Sequence, residues 1–333
     1  MKRSPRYTLC ALLTLALPVL ADYEPPRMAD GKPSLQGTWT NASITRLQRS
    51  GEYDKLIISG RELAELTNEH PQVVRQNTDD HLDNADGLLD GSDLARGRGY
   101  NAFWIEPGKE FGLVKGTRRT SWIVDPADGR IPFSARAMQL RGEGRGDRGE
   151  AAGPEVRSLG ERCMIGFGGT GGPPMLNTLY NNTYQIVQTP DHLMILVEMV
   201  HDARIVPIIE KPEDEKSQAG QVPRWLGDSV GWWEGDTLVV ETRNWQPEQA
   251  QQGPVYVSEQ GKVTERFTRY SDQQIYYDFI VDDPIYYTQP WRGEMSFNAT
   301  DSQVYEYACH EGNMGMIGIL QGARVKEREA ARR

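Results

Sequence analysis

Alternating apolar and polar positions run through the chain beyond about residue 110, and this period of two predicts β-strands joined by tight turns. Asp-Gly, Pro-Asp and Glu-Gly-Asp turns separate β-branched and aromatic runs, as hairpins require. The same hairpin pattern occurs in RTSWIVDPADGRIPF. We expect about eight to ten strands in mostly local pairing. The strand-like segments are TYQIVQ, HLMILVEMVH, RIVPII, VGWWE, DTLVVETRNW, KVTERFTRY, IYYDFIVDDP and SQVYEYACH.

Few segments have the period of a helix. SGRELAELTNEHP has Ser59 as a predicted N-cap, Glu62 as its capping-box partner, and Leu63 and Leu66 on one apolar face. IGILQGARVKEREAARR predicts a terminal helix. The pattern therefore predicts a mostly β fold, an antiparallel barrel or strongly curved sheet of lipocalin-like form, with a short N-terminal helix and a C-terminal helix.

The N-terminus has the layout of a secretory signal peptide. A cationic stretch, MKRSPR, precedes a short apolar run and small residues, which predicts cleavage after Ala21. We divide the chain into a leader at 1–21, an N-terminal extension at 22–98 and a β-rich main domain at 99–333, with a flexible insertion near 141–157.

The acidic stretch 79–93 does not fit the register of an EF-hand, so a solvated loop is favoured over a calcium site.

Charge restricts the choice of partner. Cleavage removes Lys2, Arg3 and Arg6, which leaves 34 basic residues against 47 acidic ones, a net charge of −13. An acidic surface repels phosphate backbones, so nucleic acid is not an expected partner. Beyond the leader no apolar run approaches the length of a membrane span. The expected location is the periplasm or the medium.

Two cysteines remain after cleavage, Cys163 and Cys309. In an oxidising compartment they most simply form one disulfide. The long loop that this bond closes would give about 4–5 kcal/mol of stabilisation in the chain-entropy model. Cys309 is then not free to act as a nucleophile or a metal ligand.

Several longer stretches carry a resemblance that covers most of 99–323. Among them are RTSWIVDPADGRIP, YNNTYQIVQTPDHLMILVEMVHDARIVPI, WEGDTLVVETRNW and YEYACHEGNMGM. The chain resembles an uncharacterised family of secreted bacterial proteins, which implies a signal peptide and a mostly β architecture. Separately, Gly37-x-Trp39 is similar to the first strand of lipocalin-like barrels.

The strongest chemical candidates are His310 and Glu311, beside Cys309, and His201 with Asp202 at the end of another strand. An imidazole titrates near neutrality and a carboxylate fixes its tautomer, so these residues could form a catalytic acid/base pair. Arg204 could then orient a carboxylate. Zinc is a weaker hypothesis, because neither His-x-His nor HExxH spacing occurs and no cofactor is otherwise expected. The same groups could instead satisfy buried backbone or form ion pairs.

Further ligand contacts are predicted from strand faces and aromatic residues. Alternation places Glu198 and Asp202 on one face of a strand, opposite Met199 and His201. Carboxylates in apolar strands and rings in the C-terminal half could line a pocket, although such rings are more often core. The predicted binding residues are Arg204, Glu198, Glu241, Trp233, Tyr287 and Trp291.

The glycine-rich stretch GFGGTGGPP lacks the helix that a dinucleotide site needs, although its amides could form an anion-binding nest.

Taken together, these features predict an exported barrel with an internal pocket. It would bind, and in one hypothesis transform, a small neutral or apolar oxygenated molecule as a lyase, isomerase or hydrolase. The alternatives are a non-catalytic periplasmic binding protein and an envelope-associated protein with an exposed aromatic patch.

Overall fold

Thirteen strands and four helices form in the part of the chain that the computed structural model describes, which is residues 23–79, 107–146, 153–210, 222–246 and 254–332. The helices are α1 (Gly60–Glu69), α2 (Pro71–Asp79), α3 (Ala135–Gly146) and α4 (Met314–Ala330). The strands are β1 (Gly37–Thr40), β2 (Ile57–Ile58), β3 (Leu113–Val114), β4 (Thr117–Arg119), β5 (Ile123–Asp125), β6 (Thr183–Gln188), β7 (His192–Val197), β8 (Ala203–Pro207), β9 (Asp228–Glu234), β10 (Thr237–Arg243), β11 (Lys262–Ser271), β12 (Gln274–Asp282) and β13 (Trp291–Ala299).

Nine strands follow one another around a nearly closed antiparallel barrel, in the order β8-β7-β6-β1-β13-β12-β11-β10-β9, and β5 pairs with β13 beside this path. The two ends of the path meet where Ile208 bridges Gly231 and the Ile209 N–H donates to the Gly231 carbonyl at 2.8 Å. The predicted hairpins β6–β7, β9–β10 and β11–β12 are all present. The predicted antiparallel barrel is confirmed.

The barrel interior is packed with apolar and aromatic side chains. Alternate residues of each strand point inward, so a period-two sequence on a closed sheet places one half of its positions in the core. Trp39 is buried at the centre of β1, and the guanidinium carbon of Arg269 lies 4.5 Å from the centre of its ring. Interior residues include Leu193, Ile195, Val197, Val206, Leu238, Val240, Val263, Phe267, Tyr277, Phe279, Met295 and Phe297.

A smaller layer lies beside the barrel. The sheet β2-β4-β3 and helices α1 and α2 enclose a second core of Ile44, Ile58, Val73 and Phe111. Leu63 and Leu66 of α1 pack against it, which confirms the predicted apolar face. The predicted capping box is not formed: Ser59 makes no side-chain cap bond, and Glu62 instead accepts from Lys55 Nζ at 3.2 Å.

Two strand predictions were wrong. The segment SQVYEYACH (302–310) forms no strand, because β13 has β1 and β12 as neighbours and this segment lies outside the ladder. After β5 the chain does not return as a hairpin partner, and β5 pairs with β13 instead. The predicted terminal helix is present as α4, and it begins where Asn313 accepts from the Met316 N–H at 3.3 Å.

The predicted leader at 1–21, the acidic stretch 79–93 beyond Asp79 and the centre of the predicted insertion near 141–157 lie outside the described residues. Among the helices that the structure describes, none combines the length and the apolar character that crossing a membrane requires.

Candidate functional site

The turn between β7 and β8 carries three of the predicted site residues and marks what we call the Asp202 end of the barrel. Strand β7 ends at Val197, and a 3-10 turn follows at Met199–His201. Val200 and His201 have positive φ angles of 62° and 55°. The predicted alternation through Glu198 and Asp202 is therefore wrong, because the pleat ends before these side chains are reached.

Asp202 is a half-buried carboxylate with an altered proton affinity. Its Oδ2 accepts from the Gly166 N–H at 2.9 Å. Burial raises the pKa of Asp202 from 3.8 to about 6, against the opposing effects of the Gly166 bond and of His201. A carboxyl group that titrates near neutrality beside a histidine can both donate and accept a proton.

Glu198 and His201 hold the C-terminal segment against the barrel. The carboxylate of Glu198 is buried and accepts from the N–H groups of Thr183 and Tyr305, each at 3.2 Å. The exposed His201 accepts at Nε2 from the Tyr307 N–H at 3.0 Å. These bonds bring residues 305–307 to the Asp202 end.

The predicted disulfide is confirmed, with the sulfurs of Cys163 and Cys309 1.97 Å apart. Asn313 adds a second link, because its Nδ2 donates to the Glu161 carbonyl at 2.8 Å. His310 and Glu311 follow Cys309 directly, and both are exposed. They thus lie within four residues of Tyr307, the backbone partner of His201.

The glycine-rich stretch is buried at the same end. Its first amide, Gly166, binds the carboxylate of Asp202, so the nest predicted for an anion serves an acid of the protein itself. Every residue from 170 to 176 is buried. We call residues 170–175 the plug loop, because the hydroxyls of Tyr184 and Tyr277 bind it from inside the barrel.

A buried ion pair lies below the plug loop. Arg204 and Glu265 are 3% and 0% exposed, and Arg204 Nη1 donates to Glu265 Oε1 at 3.0 Å while Nη2 contacts Oε2. Tyr277 donates to the same Oε1 at 2.7 Å. Glu265 raises the pKa of the Arg204 guanidinium further, against the opposing effect of burial. Arg204 is predicted to orient a carboxylate, and the carboxylate that it contacts in the structure is the side chain of Glu265.

Sequence reasoning missed Glu265, Tyr277 and Tyr184. A signal was present for Glu265, because it lies two residues from Val263 and two from Phe267 in β11, and so occupies an inward position of an apolar strand. The tyrosines carry no such signal, since a buried tyrosine in a strand is usually a core residue.

The other predicted binding residues lie away from this cluster or within the core. Glu241 is bonded to Arg243 Nε at 2.7 Å on the outer surface. Trp233 is half-buried, with Lys32 Nζ 6.0 Å from its ring centre. Trp291 and Tyr287 are buried edge to face with ring centres 5.7 Å apart, and the Tyr287 hydroxyl donates to the Tyr256 carbonyl.

Neither a metal centre nor an exposed tryptophan patch is found in the described part of the chain. Among those residues no group of three or more His, Cys, Asp or Glu side chains is placed to hold a metal ion. The tryptophans described there are all buried or half-buried.

Comparison with protein-family models, with curated proteins and with solved structures gives no match to this chain.

Proposed function

We propose that this protein is exported to the periplasm or the medium, and that it binds a small neutral or apolar oxygenated molecule at the Asp202 end of its barrel and acts on it by acid/base chemistry. The reaction classes that two proton-transfer groups support are hydrolysis, elimination and isomerisation. Export is supported by the leader-like N-terminus and by the Cys163–Cys309 bond, which fits an oxidising compartment.

The observation that carries the proposal is the position of Asp202. Its carboxylate accepts from the first amide of the glycine-rich stretch and directly follows the exposed His201 in the chain, and its pKa of about 6 suits proton transfer near neutral pH. His310 and Glu311 are exposed close to the chain segment that His201 binds. They are the proposed second pair of proton-transfer groups.

The test is a substrate screen on the mature protein with an ester, an epoxide and a β-hydroxy ketone as probes for the three reaction classes. Products are followed by liquid chromatography and mass spectrometry. We expect Asp202→Asn and His201→Ala to lower turnover by about 100-fold or more. His192→Ala is the matched control, because His192 is also exposed but starts β7, at the other end of that strand.

Turnover that survives in Asp202→Asn and His201→Ala would overturn the catalytic proposal. The second candidate is a non-catalytic binding protein, which is favoured by the use of both Glu198 and His201 to hold the C-terminal segment. In that case His201→Ala lowers stability, because the Tyr307 N–H loses its acceptor, and leaves ligand affinity unchanged.

A further inference from the structure

The plug loop is held inside the barrel by few polar contacts. The Tyr184 hydroxyl donates to the Thr170 carbonyl at 3.0 Å, and the Met175 N–H donates to the Tyr277 hydroxyl oxygen at 3.0 Å. Asn41 Nδ2 lies 3.2 Å from the Tyr184 hydroxyl oxygen and 3.4 Å from the Met175 carbonyl. The interior thus presents three side chains to backbone groups of the loop.

Two buried polar atoms at this place have no hydrogen-bond partner among the described residues, Asn41 Oδ1 and Arg204 Nε. The two residues are only 2% and 3% exposed. Buried polar atoms are nearly always satisfied, and an unpaired one destabilises the fold. A buried ion pair such as Arg204–Glu265 likewise adds little stability compared with apolar residues of the same volume. Stability alone therefore does not account for this cluster.

We infer that the space filled by the plug loop is a binding site for a small neutral molecule with a ring, one acceptor oxygen and one hydroxyl or N–H donor. The ligand takes over the positions of the Thr170 carbonyl and the Met175 N–H when the loop moves out. This inference rests on the proposed function and identifies its substrate class.

The hydrogen bonds that the Tyr184 and Tyr277 hydroxyls can make define the two polar groups of the ligand. Without the plug loop the Tyr184 hydroxyl is free to donate, so it needs a carbonyl or ether oxygen. Tyr277 still donates to Glu265, so its oxygen is free only to accept, and it needs a ligand hydroxyl or N–H. The plug loop supplies one acceptor, the Thr170 carbonyl, and one donor, the Met175 N–H, and the ligand must supply one of each as well.

The surroundings favour a neutral ligand with an apolar ring. Arg204 and Glu265 already neutralise each other, so a ligand charge would be buried without a counterion. The ring of Phe297 lies edge-on to Tyr184 and Tyr277, with ring centres 5.1 and 5.2 Å apart, and gives an aromatic wall.

The plug loop also separates this interior from Asp202. A Cβ built on Gly171 would lie 3.1 Å from Asp202 Oδ2, so the loop backbone is in close contact with that carboxylate. Once the loop has moved, Asp202 faces the space that the loop leaves. The proposed acid/base group and the proposed polar contacts then border one site.

The test uses 4-hydroxyacetophenone as the probe, with 4-methylacetophenone lacking the donor and 4-hydroxybenzoate carrying a charge. Calorimetry gives affinities for the mature protein and for Tyr184→Phe and Tyr277→Phe. Tyr276→Phe is the control, because Tyr276 adjoins Tyr277 in β12 but points to the other face, where its hydroxyl bonds Asp278 and Arg292. Melting curves establish that each variant is folded.

We expect the neutral hydroxy ketone to bind and the benzoate to bind at least tenfold more weakly. Tyr184→Phe should weaken both ketones by about fivefold to tenfold, whereas Tyr277→Phe should weaken only the one with a hydroxyl. Hydrogen exchange of residues 166–176 should accelerate when the probe is bound. The inference is overturned by an absence of probe binding, by unchanged loop exchange, or by tyrosine variants that behave like Tyr276→Phe.

The two proposals fail separately. If the tyrosine variants are inert but Asp202→Asn abolishes turnover, the plug-loop site is excluded and the catalytic proposal stands. If the tyrosine variants weaken binding as expected but Asp202→Asn leaves turnover intact, the binding site stands and acid/base chemistry at Asp202 does not.

Discussion

Arg204 and Glu265 face each other in the barrel interior with Nη1 3.0 Å from Oε1, although they are separated by 61 residues along the chain. Arg204 lies in β8, at one end of the sheet path, and Glu265 lies two strands from the other end, in β11. The pair therefore spans the inside of the barrel and forms only when the sheet curves around.

Removal of one member of this pair should destabilise the protein strongly. Arg204→Met leaves the carboxylate of Glu265 buried without its counterion, and we expect a loss of about 3–5 kcal/mol of unfolding free energy. The double variant Arg204→Met/Glu265→Leu should recover most of this loss, because no uncompensated charge remains. Urea unfolding of the three proteins measures both effects. A double variant no more stable than Arg204→Met would contradict the explanation.

Asp202 should make stability depend on pH between its two pKa values. Burial raises its pKa from 3.8 to about 6, so the folded protein binds this proton more tightly than the unfolded chain does. The resulting stabilisation is complete below about pH 4 and is lost as pH rises through about 6, with a total near 2–3 kcal/mol.

The comparison protein for this prediction is Asp202→Asn, which keeps an oxygen to accept from Gly166 and does not titrate. We expect it to be more stable than the parent protein at pH 7 and to lose that advantage toward pH 4. Urea unfolding at unit steps of pH is the measurement. An equal pH dependence in both proteins would show that another group is responsible.

The Cys163–Cys309 bond should stabilise the chain by constraining its unfolded state. The two cysteines are 146 residues apart, and the chain-entropy model gives about 5 kcal/mol for such a loop. Replacement of both by serine should lower the unfolding free energy by this order. Adding reductant to the parent protein should have a similar effect, and it should leave the serine variant unchanged.

Glu198 should control how firmly residues 300–309 are held. Glu198→Ala removes the acceptor for the N–H groups of Thr183 and Tyr305, and we expect a loss of about 1–3 kcal/mol together with faster hydrogen exchange in 300–309. Glu198→Gln keeps one oxygen and is the matched control. Exchange in 300–309 that is no faster in Glu198→Ala than in the parent protein would argue that the carboxylate is not what holds the segment.

His310 and Glu311 should be replaceable without loss of stability. Both side chains are exposed, and surface changes usually alter the unfolding free energy by less than about 0.5 kcal/mol. A clear loss of activity in His310→Ala, with an unchanged unfolding curve, would support a functional role. A large fall in stability would instead indicate that the side chain is part of the fold.

Local pattern was sufficient for most of the barrel strands, for helices α1 and α4, and for the fold class. Hairpins such as β9–β10 are predictable because the turn residues and the alternation of Thr237–Arg243 are contiguous in the chain. The apolar face of α1 is equally local. The disulfide followed from counting, since only Cys163 and Cys309 lie beyond the predicted leader.

The candidate site depended on contacts that no local pattern contains. Glu198 and Asp202 were assigned to one strand face, but positive φ angles at Val200 and His201 end the pleat first. The burial of residues 170–175, their bonds to Tyr184 and Tyr277, and the partner of Arg204 all join segments far apart in sequence.

The sequence by itself therefore determined most of the barrel strands, helices α1 and α4, and the Cys163–Cys309 pair, because each depends on neighbouring residues or on a count. The tertiary structure alone decided which polar groups meet at the Asp202 end. Closing the barrel removes these groups from water, and burial then requires each to find whatever partner the curved sheet brings near.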